Sequence, residues 1–138
     1  CSQETKSEFV LQEIASKTKL TYVYDKEKDS VSKLTMEIIY DITKDERYTE
    51  AVRSQRDEIV SEMEGIEGVT YTKKDDINYI TLTIEVDVNK FKFDDAASRK
   101  KAPTLYNTVN AALKRKDNMV SYQLSKDAIL EYEFKEVK

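Results

Sequence analysis

The sequence predicts an α+β fold in which an antiparallel sheet of about five strands has helices packed on one face. Two segments, residues 34–42 and 80–88, carry apolar side chains at every second position. That pattern is typical of strands with one buried face and one face in water. A helical block with apolar spacing near 3.6 residues follows each strand block, so the helices are expected to cover the apolar side of the sheet.

The length of 138 residues fits one domain with a single core. Residues 1–6 are short, polar and free of apolar periodicity, and they are predicted to form a flexible tether. Residues 7–138 are predicted to form the α+β domain. The 23 basic and 27 acidic residues leave a net charge of −4, without the basic excess that a nucleic-acid-binding surface needs.

Strand signals begin at Phe9, where Phe9 and Leu11 alternate with Val10 and Gln12, and continue in residues 20–24. The third strand gives the clearest alternation. Its predicted buried side chains are Leu34, Met36, Ile38, Tyr40 and Ile42, and its predicted solvent-facing ones are Thr35, Glu37 and Asp41.

Thr43 and Glu46 have the spacing of a helix capping box and predict the start of a helix that ends at Gly65. Its apolar stripe contains Tyr48, Ala51, Val52, Ile59 and Met63. We interpret this helix as a cover for the sheet rather than a site for recruiting a partner.

The second half repeats this order without a residue-level repeat. Residues 69–72 and 80–88, joined by a charged turn at 73–76, predict a hairpin. Helical spacing returns over residues 105–113, Ser125 is predicted to cap a last short helix, and residues 134–137 read as a closing strand.

The chain contains no histidine, which removes histidine-based acid–base catalysis and the commonest transition-metal ligand. Two adjacent carboxylate pairs, Asp75–Asp76 and Asp94–Asp95, are the candidates for a hard cation or for glycoside cleavage. Their position in charged turns favours solvated surface. We therefore assign no catalytic, cofactor-binding or metal-binding residue, and we expect no cofactor and no enzymatic activity.

Two further features have both a structural and a functional interpretation. Among nine tyrosines, Tyr71 and Tyr79 are the best candidates for exposed positions, and whether they line a groove stays open. The basic clusters at residues 99–101 and 114–116 could rest on anionic lipid headgroups, with solvated helix ends as the favoured alternative.

Cys1 is the only cysteine and is followed by the polar residues 2–8. A mature bacterial lipoprotein begins in this way, after a signal peptide is cleaved directly before a cysteine that carries a diacylglyceryl group with fatty acids such as palmitate. Two acyl chains anchor a protein stably without a transmembrane helix. We expect Cys1 to be lipidated and the domain to lie on the extracytoplasmic face of the cell membrane. The alternative is an artificial boundary or a labelling site at Cys1.

The chain resembles the YehR-like family of small bacterial lipoproteins. The resemblance lies in Cys1, Lys19–Tyr24, Ile66–Thr72 and Phe134–Lys138, and it covers most of the chain in patches. Glu133 stands where the family pattern has a glycine. The resemblance implies an α+β fold, no established activity, and no functional residue other than the lipidated cysteine.

The resulting hypothesis is a lipid-anchored cell-envelope protein, non-enzymatic, that binds an unknown ligand or envelope partner. The alternatives are a hydrolase that uses carboxylates or tyrosine without histidine, and a structural protein of the cell envelope. The expected partners are the membrane, through the N-terminal lipid, and no nucleic acid. The oligomeric state stays open.

Overall fold

A computed structural model describes residues 4–138 and contains one antiparallel sheet with four α-helices. The strands are β1 (Glu4–Gln12), β2 (Ser16–Asp25), β3 (Ser30–Asp41), β4 (Val69–Asp75), β5 (Tyr79–Asp87), β6 (Lys114–Lys116), β7 (Met119–Ser121) and β8 (Lys135–Val137). The helices are α1 (Thr49–Met63), α2 (Ala96–Lys101), α3 (Pro103–Ala112) and α4 (Tyr122–Glu131). None of these helices has the length and apolar character needed to cross a membrane.

The main strand order is β4-β5-β3-β2-β1-β8, and the β6–β7 hairpin joins the start of β3 through the pair Ser30 and Ser121. The predicted α+β class is confirmed. The sheet has eight strands rather than about five. β8 is the predicted closing strand, whereas β6 and β7, with three residues each, were not predicted. Segments of that length are too short to show an alternating pattern.

One face of the sheet, called the covered face, packs against the helices. Leu34 and Met36 of β3 are at most 1% exposed, and they share a core with Met63 of α1 and with Leu105 and Val109 of α3. The facing predicted for β3 is confirmed by Leu34 and Met36, whereas Ile38 and Tyr40 are only half-buried.

The opposite face, called the open face, carries the alternate side chains of β1 to β5 and no helix among the described residues. Its members are mostly threonines and charged residues: Lys6, Glu8, Val10, Lys17, Lys19, Thr21, Lys33, Thr35, Glu37, Ile39, Asp41, Thr70, Thr72, Lys74, Tyr79, Thr81, Thr83 and Glu85.

The predicted tether at residues 1–6 needs a correction, because β1 begins at Glu4 and residues 4–6 pair with residues 23–25 of β2. A polar segment can form this strand because β2 supplies its backbone hydrogen bonds and alternate side chains point to the open face. Cys1 lies outside the described residues, together with residues 2 and 3.

The start of the first helix also differs from the prediction. The Asp45 side chain accepts a hydrogen bond from the Arg47 N–H and begins a short 3₁₀ helix, which leads into α1. Thr43 instead hydrogen-bonds to Asp41, and Tyr48 is 61% exposed. The stop at Gly65 is confirmed by its positive φ of 80° directly after the helix.

The last helix is capped by Ser121 and not by Ser125. The Ser121 hydroxyl accepts a hydrogen bond from the Leu124 N–H, which begins α4 four residues earlier than the sequence predicts. Ser125 lies inside α4, where its buried hydroxyl accepts a bond from the Lys114 N–H and donates one to the Ser121 carbonyl. It therefore joins α4 to β6.

Candidate functional site

Two shallow grooves occupy opposite ends of the open face. The first, called the turn-end groove, has a volume of about 560 Å³ and lies between the β1–β2 turn and the β4–β5 turn. The second has a volume of about 760 Å³ and lies near Lys6, Lys33 and Lys90, at the end of the sheet where β1 begins.

Backbone hydrogen bonds to the end of β3 place both turns beside the turn-end groove. The Asp41 N–H donates to the Ala15 carbonyl at 2.9 Å, and the Ile42 N–H donates to the Asn78 carbonyl at 3.0 Å. Since Asp41 and Ile42 are neighbours in the chain, the two turns are attached to the same end of the sheet, on either side of β3.

Each turn is held by its own polar groups. The Asp76 carboxylate accepts the Asn78 and Tyr79 N–H groups, and the Gln12 side-chain amide donates to the Glu13 and Ser16 carbonyls. These contacts are the side-chain-to-backbone bonds that define tight turns. The turns therefore do not depend on the apolar residues at their tips.

The tips of the two turns expose large apolar side chains. Ile14 is 92% exposed and Ile77 is 89% exposed, the two highest values among the exposed large hydrophobic residues. Ile14 also lines the groove, together with Ile39 and the 42%-exposed Tyr79. The groove thus has an apolar rim in a surface that is otherwise polar.

Charged side chains cross the groove in two rows, which the strand register defines. The basic row runs Lys74, Thr81, Ile39 and Lys17 across β4, β5, β3 and β2. Two residues further along the strands, or about 7 Å, the acidic row runs Asp76, Tyr79 and Asp41. The charge therefore changes sign between the two rows, and Glu37 and Lys44 add one more carboxylate and one more lysine to the groove.

Two groups of the acidic row have local hydrogen-bond partners. The Thr43 hydroxyl donates to Asp41 and holds the pKa of that carboxyl below its usual value. Asp76 accepts the turn N–H groups described above. Because its pKa is lowered, the Asp41 carboxylate is negatively charged at neutral pH where it lines the groove.

The ion pairs of the rest of the open face use other lysines. Lys19 lies 3.4 Å from Glu8 and 3.9 Å from Glu37, and Lys33 lies 2.9 Å from Glu85. Within residues 4–138, Lys17 and Lys74 take part in no such pair. Lys6, at the other groove, takes part in no such pair within this range either, so unpaired lysines lie at both ends of the open face.

The two tyrosines predicted to be exposed lie on opposite faces of the sheet. Tyr79 lines the turn-end groove. Tyr71 lies on the covered face, half-buried, and donates a hydrogen bond to Glu64, which raises the pKa of the phenol. Tyr71 and Tyr79 therefore do not line one groove.

The first predicted acidic pair is divided between two structural roles. Asp75 contacts the 2%-exposed Arg56 and lies 3.3 Å from Arg53. The hydrogen bond from Arg56, followed by that from Arg53, lowers the pKa of Asp75. Its neighbour Asp76 holds the β4–β5 turn.

The second pair is divided in the same way. Asp94 accepts two hydrogen bonds from Arg115, which lower its pKa, and Asp95 caps α2. In the described part of the chain, no group of three or more potential ligands is placed to hold a metal ion. The acidic pairs stabilise the fold and do not converge on a common site.

The basic clusters occupy different elements. Residues 99–101 form the last turn of α2, whereas residues 114–116 form strand β6 and not the end of a helix. Arg115 lies over the Phe93 ring at 5.0 Å as well as pairing with Asp94. The positive charge of Arg115 is therefore paired with Asp94 and with the Phe93 ring of the same chain.

Two features escaped sequence analysis. Arg56 occupies the buried stripe of α1 with Val60 and Met63, and the spacing of these three residues shows this in retrospect. Tyr122 stacks on Tyr24 with ring centroids 3.5 Å apart and meets Tyr22 edge-on at 5.9 Å. The sequence carries no signal for that cluster, because its members come from β2 and α4.

Comparison with solved structures assigns the fold. The NMR structure of the E. coli YehR protein superposes with a TM-score of 0.75 at 19% identity, over 99% of this chain and 93% of that chain. An NMR structure of a protein from Streptococcus pneumoniae TIGR4 gives a TM-score of 0.60 at 12% identity, over 98% and 86% of the two chains. The chain therefore has a YehR-like fold. No family model and no curated protein matches it.

Proposed function

We propose that this chain is a lipid-anchored, extracytoplasmic lipoprotein of the YehR-like kind, which binds a ligand or protein partner through its open face and catalyses no reaction. The observation that carries the binding role is the turn-end groove, where Ile14, Ile39 and Tyr79 interrupt a polar surface. Exposed apolar groups rimmed by polar ones are typical of interaction sites.

The anchoring role is supported by Cys1, the single cysteine of the chain, and by the sequence resemblance described above. Cys1 precedes the start of β1 at Glu4 by three positions. Three residues span at most about 11 Å, so a lipid on Cys1 would keep the first end of β1 close to the bilayer. The turn-end groove lies at the other end of β1.

The non-enzymatic role is supported by the chemistry of the side chains. Without histidine, a hydrolase would need carboxylates or tyrosines as acid and base. Asp75 and Asp94 instead pair with arginines that lower their pKa values. Tyr22, with its pKa raised by burial, donates its hydroxyl to the Ala112 carbonyl.

The anchor is tested on native protein from its own membrane. We expect partition into the detergent phase and an N-terminal peptide heavier by the mass of the lipid. Cys1→Ser is expected to leave an unprocessed precursor, whereas the neighbouring Ser2→Ala, as a matched control, is expected to be processed normally. A free Cys1 thiol on native protein in the soluble fraction would contradict the anchor.

The binding role is tested by cross-linking in the same membrane. We expect Tyr79→Ser to reduce the cross-linked products, because it removes an aromatic ring from the turn-end groove. Thr70→Ser, at the other groove, is the control and is expected to leave them unchanged. Identical products from both variants would contradict a role for the turn-end groove.

A further inference from the structure

We infer that the partner of the turn-end groove is a second copy of this chain, docked face to face through the same groove. This inference rests on the proposed binding role of the open face. It names the partner from the arrangement of charge and apolar surface around the groove. A symmetric dimer uses one patch twice, so its patch has to be self-complementary.

The two charge rows have this property. Lys17 and Lys74 lie in the basic row of the groove, and Asp41 and Asp76 lie in its acidic row. A two-fold axis parallel to the sheet, lying above the open face and running across the strands between the rows, turns the basic row of one copy onto the acidic row of the other. An axis along the strands would instead place Lys17 near Lys74 of the second copy.

With the axis across the strands, each strand of one copy faces the same strand of the second copy. Lys74 then faces Asp76 at the β4 side, and Lys17 lies beside Asp41, one strand away. Strands of the two copies lie along nearly the same line but run in opposite directions, and such alignment is usual for stacked sheets. Opposite charges across such an interface fix its register.

The same rotation gives each exposed isoleucine an apolar contact. Ile14 lies on the far side of the acidic row from the axis. In the dimer it therefore contacts the residues of the second copy that lie on the far side of the basic row from the axis. At the β1 side that row contains Val10 and the aliphatic part of Lys19. At the β4 side, Ile77 meets the methyl groups of Thr72 and Thr83.

An anionic membrane surface fits the groove less well than a second copy does. Lipid headgroups are attracted by an excess of basic side chains. The groove instead contains three lysines, Lys17, Lys44 and Lys74, and three carboxylates, Glu37, Asp41 and Asp76. Balanced charge of both signs matches a surface that carries the same two signs.

The test is sedimentation equilibrium of the full chain with Cys1→Ser, so that no intermolecular disulfide forms, from micromolar to millimolar concentration. We expect a concentration-dependent dimer. Lys17→Glu with Lys74→Glu places acidic rows against each other and should weaken the dimer by about a hundredfold, as like charges do at an interface.

Two further variants complete the test. Lys6→Glu with Lys90→Glu makes the same charge change at the other groove and is expected to leave the dimer intact. Ile14→Ser with Ile77→Ser changes only exposed side chains, so the fold is retained while the dimer weakens. A monomer at every concentration, or equal weakening by the two charge variants, would overturn the inference.

Failure of this inference is distinguishable from failure of the proposed function. If the chain is monomeric but still forms cross-links to another protein in the membrane, and these depend on Tyr79, the groove binds a different partner. Only the dimer inference then fails. If the chain is monomeric and no cross-link depends on Tyr79, both the dimer and the binding role of the groove are contradicted.

Discussion

Two glycines near the end of α1 share a left-handed backbone but differ in their surroundings. Gly65 has φ 80°, and an added Cβ would lie 3.6 Å from Lys101 Nζ, at the end of a flexible side chain. Gly68 has φ 83°, and its Cβ would lie 2.6 Å from the Phe91 nitrogen and 2.9 Å from the Lys90 carbonyl carbon. The backbone atoms of Lys90 and Phe91 cannot move aside for the added Cβ, whereas the end of the Lys101 side chain can.

We therefore expect Gly65→Ala to lower the free energy of unfolding by about 1 kcal/mol, the usual cost of a left-handed alanine. Gly68→Ala should cost about 3 kcal/mol or more, because steric overlap adds to that cost. Urea denaturation of both variants measures the difference. Equal midpoints would show that the close approach of residues 90 and 91 is not required.

Asp75 contributes to stability in a way that depends on pH. Its pKa is lowered in the folded chain, chiefly by Arg56, from a reference value of 3.8. The contribution is therefore complete above about pH 5 and is lost as the pH falls through the folded-state pKa. Asp75→Asn is expected to flatten the acid limb of the stability curve measured by urea denaturation between neutral pH and pH 2. The exposed Glu131→Gln is the control, and an unchanged limb in Asp75→Asn would contradict the linkage.

Strand β3 shows how one element separates the two faces of the sheet. Met36 is 1% exposed on the covered face, and its neighbour Glu37 faces the turn-end groove. Met36→Asp places an unpaired charge in the core and is expected to cost about 4 kcal/mol, whereas Glu37→Ala should change stability by about 0.5 kcal/mol or less. Thermal unfolding measures both, and similar melting temperatures would refute the facing.

The first and last helices show why element boundaries were harder to predict than element types. Thr43 and Ser125 both have the residue type of a helix cap. Asp41 binds Thr43 at the end of β3, and the Lys114 N–H of β6 binds Ser125. Thr43 was lost as a cap to a local contact with Asp41, two residues earlier, whereas Ser125 was lost to the Lys114 N–H, which the folded chain brings within reach.

The whole sheet has a central region and weakly attached edges. β3 pairs along most of its length with β2 and β5, whereas β8 pairs with β1 only at residues 8–10. Amide hydrogen exchange is therefore expected to be slowest in β2, β3 and β5, near the rate of global unfolding, and faster in β8 and the β6–β7 hairpin. Protection in β8 equal to that in β3 would contradict this order.

The sequence by itself determined the α+β class, the long strands and the side of β3 that enters the core, because alternation and helical spacing are local properties of the chain. Only the tertiary structure decided which strands are neighbours, and hence the rows of Lys17, Lys74, Asp41 and Asp76 across the open face. Tyr71 and Tyr79 looked equivalent in sequence and lie on opposite faces. The candidate site could not be predicted because its residues come from five strands, and strand pairing depends on non-local contacts that no single segment encodes.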